Sequence, residues 1–261
     1  MERIVANSVV KKFPAHRSSH STALGFASSI FSKKPKKTFC AVDSVSLVVK
    51  DGEKIGIIGG NGSGKSTLLR CLADIYLLDG GTVKTRGKVI YASGFNQGLN
   101  SKLTMRDNVF LIGSLHGVNW KILRKNFNEI VDFSGLEDYV DVKVNNFSDG
   151  MRARLNFSVA AFAIRHIDPD ILLLDEVSMS TGGGDIDFKE KTAETMKKIM
   201  NDRVTTVFVS HDLESVVKNC NRTLWIHKGR VRAEGESQDV VDTYREFVQK
   251  NRKRRGIKKI I

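Results

Sequence analysis

"KIGIIGGNGSGKSTLLRCL", residues 54–72, decides the fold. Lys54 to Ile58 is a short apolar run of strand length, and the residues from Lys65 onward carry the apolar spacing of a helix. Gly59, Gly60, Gly62 and Gly64 lie between them. A strand that runs through glycines into a helix leaves backbone N–H groups free at the helix's positive end, with no Cβ in the way. Residues 59–66 match the pattern G-x-x-x-x-G-K-S. In that pattern converging N–H groups cradle phosphate oxygens, the lysine reaches the β- and γ-phosphates, and the hydroxyl ligates Mg²⁺. Gly59, Gly60, Asn61, Gly62, Ser63, Gly64, Lys65, Ser66 and Thr67 are therefore candidate nucleotide-binding residues. A glycine-rich turn matches this pattern by chance now and then; the correct flanks argue against that here.

A second stretch completes the chemistry. "ILLLDE" (171–176) is a buried strand ending in two acids. Asp175 emerges beside the cradle at Mg²⁺ distance through water, and Glu176 can accept a hydrogen bond from an attacking water. A third, "NNFSDGMRARLN" (144–155), reads as a helix start, with Ser148 and Asp149 as capping residues and Gly150 loosening the turn. Such an N-terminus is a ready anion site.

The rest of the chain fits around these. "AVDSVSLVV" reads as a strand and "LLDGGTVKTRGKVIYA" as a hairpin. Thr104 to His166 is mostly helical, with Thr104 and Asp107 as a cap and "WKILRKNFNEIVDFSG" as an amphipathic stretch. Then come "DILLLDEV" (strand), "DFKEKTAETMKKIM" (helix), "VTTVFVS" (strand), "LESVVKNC" (helix), a hairpin around Lys228-Gly229, and the closing helix "QDVVDTYREFVQK". Strands alternating with helices imply a parallel sheet covered on both faces. The expectation is an α/β fold with a mostly parallel core sheet, an N-terminal antiparallel β subdomain and an inserted helical subdomain over about 100–166.

The chain has 261 residues and a formal net charge of +13, which suits nucleic acid, an anionic membrane surface, or simply a solvated basic face. Cys40, Cys71 and Cys220 stand too far apart for a zinc site or a disulfide scaffold. No secretory leader is apparent, and no apolar run approaches the length of a membrane-spanning helix.

The cradle, then "FSDGM" (147–151), then "LLLDE", then "VSHD" with His211, in this order and spacing, resembles the nucleotide-binding domain of ATP-binding cassette (ABC) proteins. The resemblance covers residues 1–248 and leaves a basic tail over 249–261. It implies a P-loop NTPase fold, ATP and Mg²⁺ as cofactors, and Glu176, His211 and Lys65 as catalytic residues. "FSDGM" takes the signature position, usually LSGGQ, with Met151 in place of Gln; Ser148 and Gly150 then contact the nucleotide of a second copy in a head-to-tail pair. The resemblance also implies metal contacts from Ser66, Asp175 and a glutamine, for which Gln97 is the candidate. Phe13, with Phe39 as the alternative, is the candidate for stacking on adenine. Asp185 fits the interface loop.

"FSDGM", the C-terminal stretch "CNRTLWIHKGRVRAEGESQDVVDTYREF" and the insertion after "KKF" are similar to ATPase subunits of bacterial exporters of O-antigen, capsule and teichoic acid. That branch implies two copies of this chain, two copies of a multi-helix membrane permease, lipid-linked polysaccharide as substrate, no nucleic-acid partner, and a peripheral position on the cytoplasmic face of the plasma membrane. The basic segment 16–37, with Leu24, Phe26, Ala27, Ile30 and Phe31, reads as an interfacial amphipathic element or a basic loop. The rival reading is a non-transport ABC ATPase acting on DNA or ribosomes. Against it stand the short helical block, where repair ATPases carry a long coiled coil, and the single cassette.

Overall fold

The computed structural model describes residues 1–14, 38–93, 98–176, 186–200 and 203–254, with side chains to Asn251. The expected interfacial segment 16–37, Gln97, Asp185 and the last residues of the tail lie outside these ranges.

β1 (Glu2–Pro14) and β2 (Thr38–Lys50) pair antiparallel, and β1 also pairs antiparallel with β4 (Gly80–Thr85). β1 is not evident from simple alternation, because its buried residues Ile4, Ala6 and Val9 change phase midway. Ser8 sits at φ 47° there and Ser44 at φ 56° on β2. The ladder shifts register at these points, as bulges do.

β3 (Lys54–Ile58), β5 (Val89–Ser93), β6 (Ile171–Asp175), β7 (Thr205–Val209), β8 (Arg222–His227) and β9 (Arg230–Glu236) form the second sheet, in the order β5-β6-β7-β3-β8-β9. β9 alone among them runs antiparallel to its neighbour, joined by the expected turn with Lys228 at φ 51° and Gly229 at φ 80°. β6 shows why the sheet is buried on both sides: Ile171 and Leu173 join one core, and Leu172 and Leu174 join another. The first core holds α1 (Lys65–Leu72) between the two sheets. The second is covered by α5 (Asp149–Ile167), α6 (Ile186–Ile199), α7 (Leu213–Asn219) and α8 (Ser237–Arg254).

Two local expectations are corrected, and a third stretch is resolved more finely. Residues 77–92 do not form a hairpin: β4 stays with the antiparallel sheet, whereas β5 pairs in parallel with β6. The Asp170 carboxylate, accepting the Lys88 N–H at 2.8 Å, ties the chain into the second sheet. The amphipathic run after Trp120 is two helices, α3 (Trp120–Lys125) and α4 (Phe127–Ser134), because Asn126 leaves helical geometry at φ −108°. The closing helix runs on to Arg254, into the stretch read as tail. Basic residues at its end suit the negative pole of a helix.

α2 (Met105–Leu115), α3, α4 and the outer side of α5 enclose a third core around Val109, Ile112, Leu123, Ile130 and Leu155. Thr104 and Asp107 close a capping box at the start of α2. None of the described helices is long and apolar enough to cross a membrane.

Candidate functional site

The parallel strands end where the chemistry is needed. β3 delivers Gly59, and α1 starts at Lys65 with Gly64 before it at φ 106°. A side chain at 64 would strike the Ala41 carbonyl, so only glycine lets α1 begin this close to β2. Asn61 to Thr67, together with Glu176, line a cavity of about 180 Å³. At Gly60 and Gly62 an added Cβ would meet no atom within 4 Å, so this side of the loop faces open space.

Lys65 is buried, and its Nζ donates to the carbonyls of Gly59 (2.9 Å) and Gly60 (3.2 Å). Burial lowers its pKa, while the charges of Glu176 and Asp175 oppose that shift. The Ser66 hydroxyl donates to Asp175 Oδ1 at 2.8 Å. A hydroxyl and a buried carboxylate in contact are hard oxygen donors of the kind that Mg²⁺ takes, so the residues fit that ion. Asp175 Oδ2 accepts the Tyr91 hydroxyl at 2.8 Å, and Tyr91 in turn accepts from Arg70 Nε at 3.0 Å.

Glu176 follows at φ 55°, a left-handed conformation that few non-glycine residues take. Its N–H donates to the Val209 carbonyl at 2.9 Å, which holds the backbone in place. Its Oε1 lies 2.9 Å from His211 Nε2, and both side chains are about half exposed. β6 and β7 are neighbours, so the two residues meet just past the ends of adjacent strands.

Ser148 caps α5, accepting the Met151 N–H at 3.2 Å, and Asp149 pairs with Arg152. Neither Ser148 nor Gly150 lines the cavity at residues 61–67. The half-buried Phe13 lies across the ladder from Phe39 and meets Tyr76 edge-to-face at 5.5 Å, with Lys11 Nζ over its ring. Phe39 is 54% exposed.

The sequence model of the family described as ABC transporter matches residues 42–179, which contain the cradle, Ser148, Asp175 and Glu176. The chain belongs to the ABC transporter family. Members of this family bind ATP and hydrolyse it to drive transport. This ABC protein is 34% identical to the O-antigen export system ATP-binding protein RfbB of Klebsiella pneumoniae, over 91% of the chain and 95% of RfbB. It is also 34% identical to the ABC transporter protein AbcA of Aeromonas salmonicida, over 94% of the chain and 76% of AbcA. The teichoic acids export ATP-binding protein TagH of Bacillus anthracis matches at 34% over 84% of the chain, which spans 39% of TagH's length. Among solved structures, an ATP-binding subunit of an ABC transporter superposes with a TM-score of 0.65 at 18% identity, covering 93% of each chain. A dimeric ATP-binding cassette bound to ADP and Pi superposes with 0.63 at 23% identity, over 90% of this chain and 98% of its own. These two establish the shared fold.

Within this ABC protein, sequence reasoning missed Tyr91 and Arg70. Tyr91 was only one apolar position in a strand, and Arg70 one basic residue near the end of a helix. Their link to Asp175 appears only once β5 is placed beside β6.

Proposed function

We propose that this chain is the ATP-hydrolysing subunit of an exporter that moves lipid-linked cell-surface polysaccharide, of the O-antigen, capsule or teichoic acid kind, outward across the cytoplasmic membrane. The Glu176–His211 contact at the rim of the phosphate cavity carries the hydrolytic part of this reading. The near full-length likeness to RfbB supports the transport part.

In this reading the N–H groups of residues 59–67 hold the phosphates, and Lys65 exchanges its two carbonyl partners for the β- and γ-phosphate oxygens. Ser66 and Asp175, with Gln97, would hold Mg²⁺, which supplies positive charge to the transferring phosphoryl group. Glu176 orients the attacking water and accepts its proton, and His211 fixes the carboxylate through Oε1. Phe13 or Phe39 stacks on the adenine. Ser148 and Gly150 complete the site of a second copy, and Asp185 lies in the loop between the two. Two copies of the chain sit beneath two copies of a multi-helix permease on the cytoplasmic face.

Affinity purification from detergent-solubilised membranes tests the class. A multi-helix membrane protein recovered in equal amount is the expected result. Co-sedimentation with ribosomes or DNA, with no membrane partner, would overturn it in favour of a non-transport ATPase.

A further inference from the structure

α1 presents Ser66 and Arg70 four residues apart, hence on one face. That face meets the strand pair β5–β6, on which Tyr91 stands opposite Leu173 and Asp175 lies two residues further along the same side. Ser66 reaches Asp175 Oδ1 directly, at 2.8 Å. Arg70 reaches Oδ2 in two ways: its Nη2 forms a long ion pair with that oxygen at 3.8 Å, and its Nε donates to the Tyr91 hydroxyl, which makes the shorter contact by donating to Oδ2 at 2.8 Å. A guanidinium can only donate and a carboxylate can only accept, so the Tyr91 hydroxyl accepts from Arg70 and turns its proton to Asp175. Arg70 is itself held from the far side by Tyr76, whose hydroxyl accepts from Nη1 at 3.4 Å and whose ring lies beneath the guanidinium. Tyr76 also touches Phe13.

We propose that Tyr91, oriented by Arg70, is a positioning residue for the metal: it pins Oδ2 of Asp175 so that Oδ1 stays turned toward Ser66 and the Mg²⁺ that the two would hold. The inference rests on the reading of Asp175 as a metal contact. Without the pin, the carboxylate turns about its terminal torsion and presents either oxygen, and metal affinity falls even though every metal-contacting group is present. The chain Asp175–Tyr91–Arg70–Tyr76–Phe13 also joins the metal end of the site to the aromatic proposed for the adenine end.

The test uses the full-length protein and a fluorescent ATP analogue, titrated first without metal and then with Mg²⁺. Mn²⁺ bound to the protein–nucleotide complex is counted by electron paramagnetic resonance. Tyr91→Phe removes one oxygen and keeps the ring. It is expected to raise the Mg²⁺ concentration for half-maximal enhancement about tenfold and to weaken Mn²⁺ binding in parallel. Metal-free nucleotide affinity and thermal midpoint should stay as in the native chain; a merely structural role would move those two as well. Arg70→Lys keeps a cation near Oδ2 but loses the Nε that orients the Tyr91 hydroxyl; it should shift the metal midpoint in the same direction by a smaller factor, and it decides the matter by the same criterion if Tyr91→Phe does not fold. Asp175→Asn is the control. If it raises the midpoint while folded Tyr91→Phe and Arg70→Lys do not, the positioning role is wrong and the reading of Asp175 stands. If Asp175→Asn leaves the midpoint where it was, both fall together.

Discussion

Glu176→Gln is expected to keep ATP binding and to lose hydrolysis by a factor of about 10² or more, the usual contribution of a positioned general base. The amide retains the shape of the carboxylate and a partner for His211 Nε2, now 2.9 Å from Glu176 Oε1, but cannot take a proton from water. In the proposed reading Lys65 and the N–H groups of residues 59–67 hold the phosphates, and none of them is replaced; losing the Glu176 charge removes one acid beside Lys65 but none of these donors. The variant should therefore accumulate as an ATP-bound pair of chains. Light scattering with ATP, alongside phosphate release, reads both effects. A Glu176→Gln protein that hydrolyses normally, or stays monomeric at every concentration alone and with its membrane partner, overturns the assignment. Lys65→Ala, by contrast, loses the cation in the cavity and should lose nucleotide affinity itself.

The second large effect is expected in trans. Ser148→Arg removes the oxygen that caps α5, at a cost of about 1 kcal/mol to that helix, and fills the space where a partner's γ-phosphate would approach. Homodimers of this variant should be nearly inactive, as should homodimers of Lys65→Ala. Mixed, the two restore one site per heterodimer: the intact cradle of one chain faces the intact Ser148 of the other. Random mixing at equal amounts makes half the pairs heterodimers, so about a quarter of native sites should return. Phosphate release from the mixture, compared with each variant alone, is the measurement. Normal hydrolysis by either homodimer, or no recovery on mixing, sinks the head-to-tail arrangement.

The parts of the fold visible in the sequence were those with a local cause. β3, β6 and β7 are short, mainly apolar stretches, the glycines of 59–64 sit between strand and helix, and Lys228-Gly229 is a turn that two positive φ angles demand. What the sequence hid depends on distant partners. β1 loses its alternation because Ser8 and Ser44 bulge, a pairing between residues far apart in the chain; the Ser8 N–H goes to the Ser46 hydroxyl. β4 and β5 are adjacent in sequence and diverge because each finds a better neighbour elsewhere. The candidate site divides the same way. Lys65 and Ser66 follow from a contiguous motif, whereas Tyr91 reaches Asp175 across 84 positions, and no spacing rule anticipates it.

The left-handed backbone at Glu176 has one more consequence. A glycine there would relieve about 1 kcal/mol of conformational strain and remove the carboxylate together with its contact to His211. Stability and turnover thus make opposite demands on a single position. A search for heat-resistant variants of this chain would favour Glu176→Gly, and one for faster hydrolysis would keep the glutamate. With the role proposed for Glu176, position 176 is a place where evolution toward thermal robustness and evolution toward catalysis are incompatible.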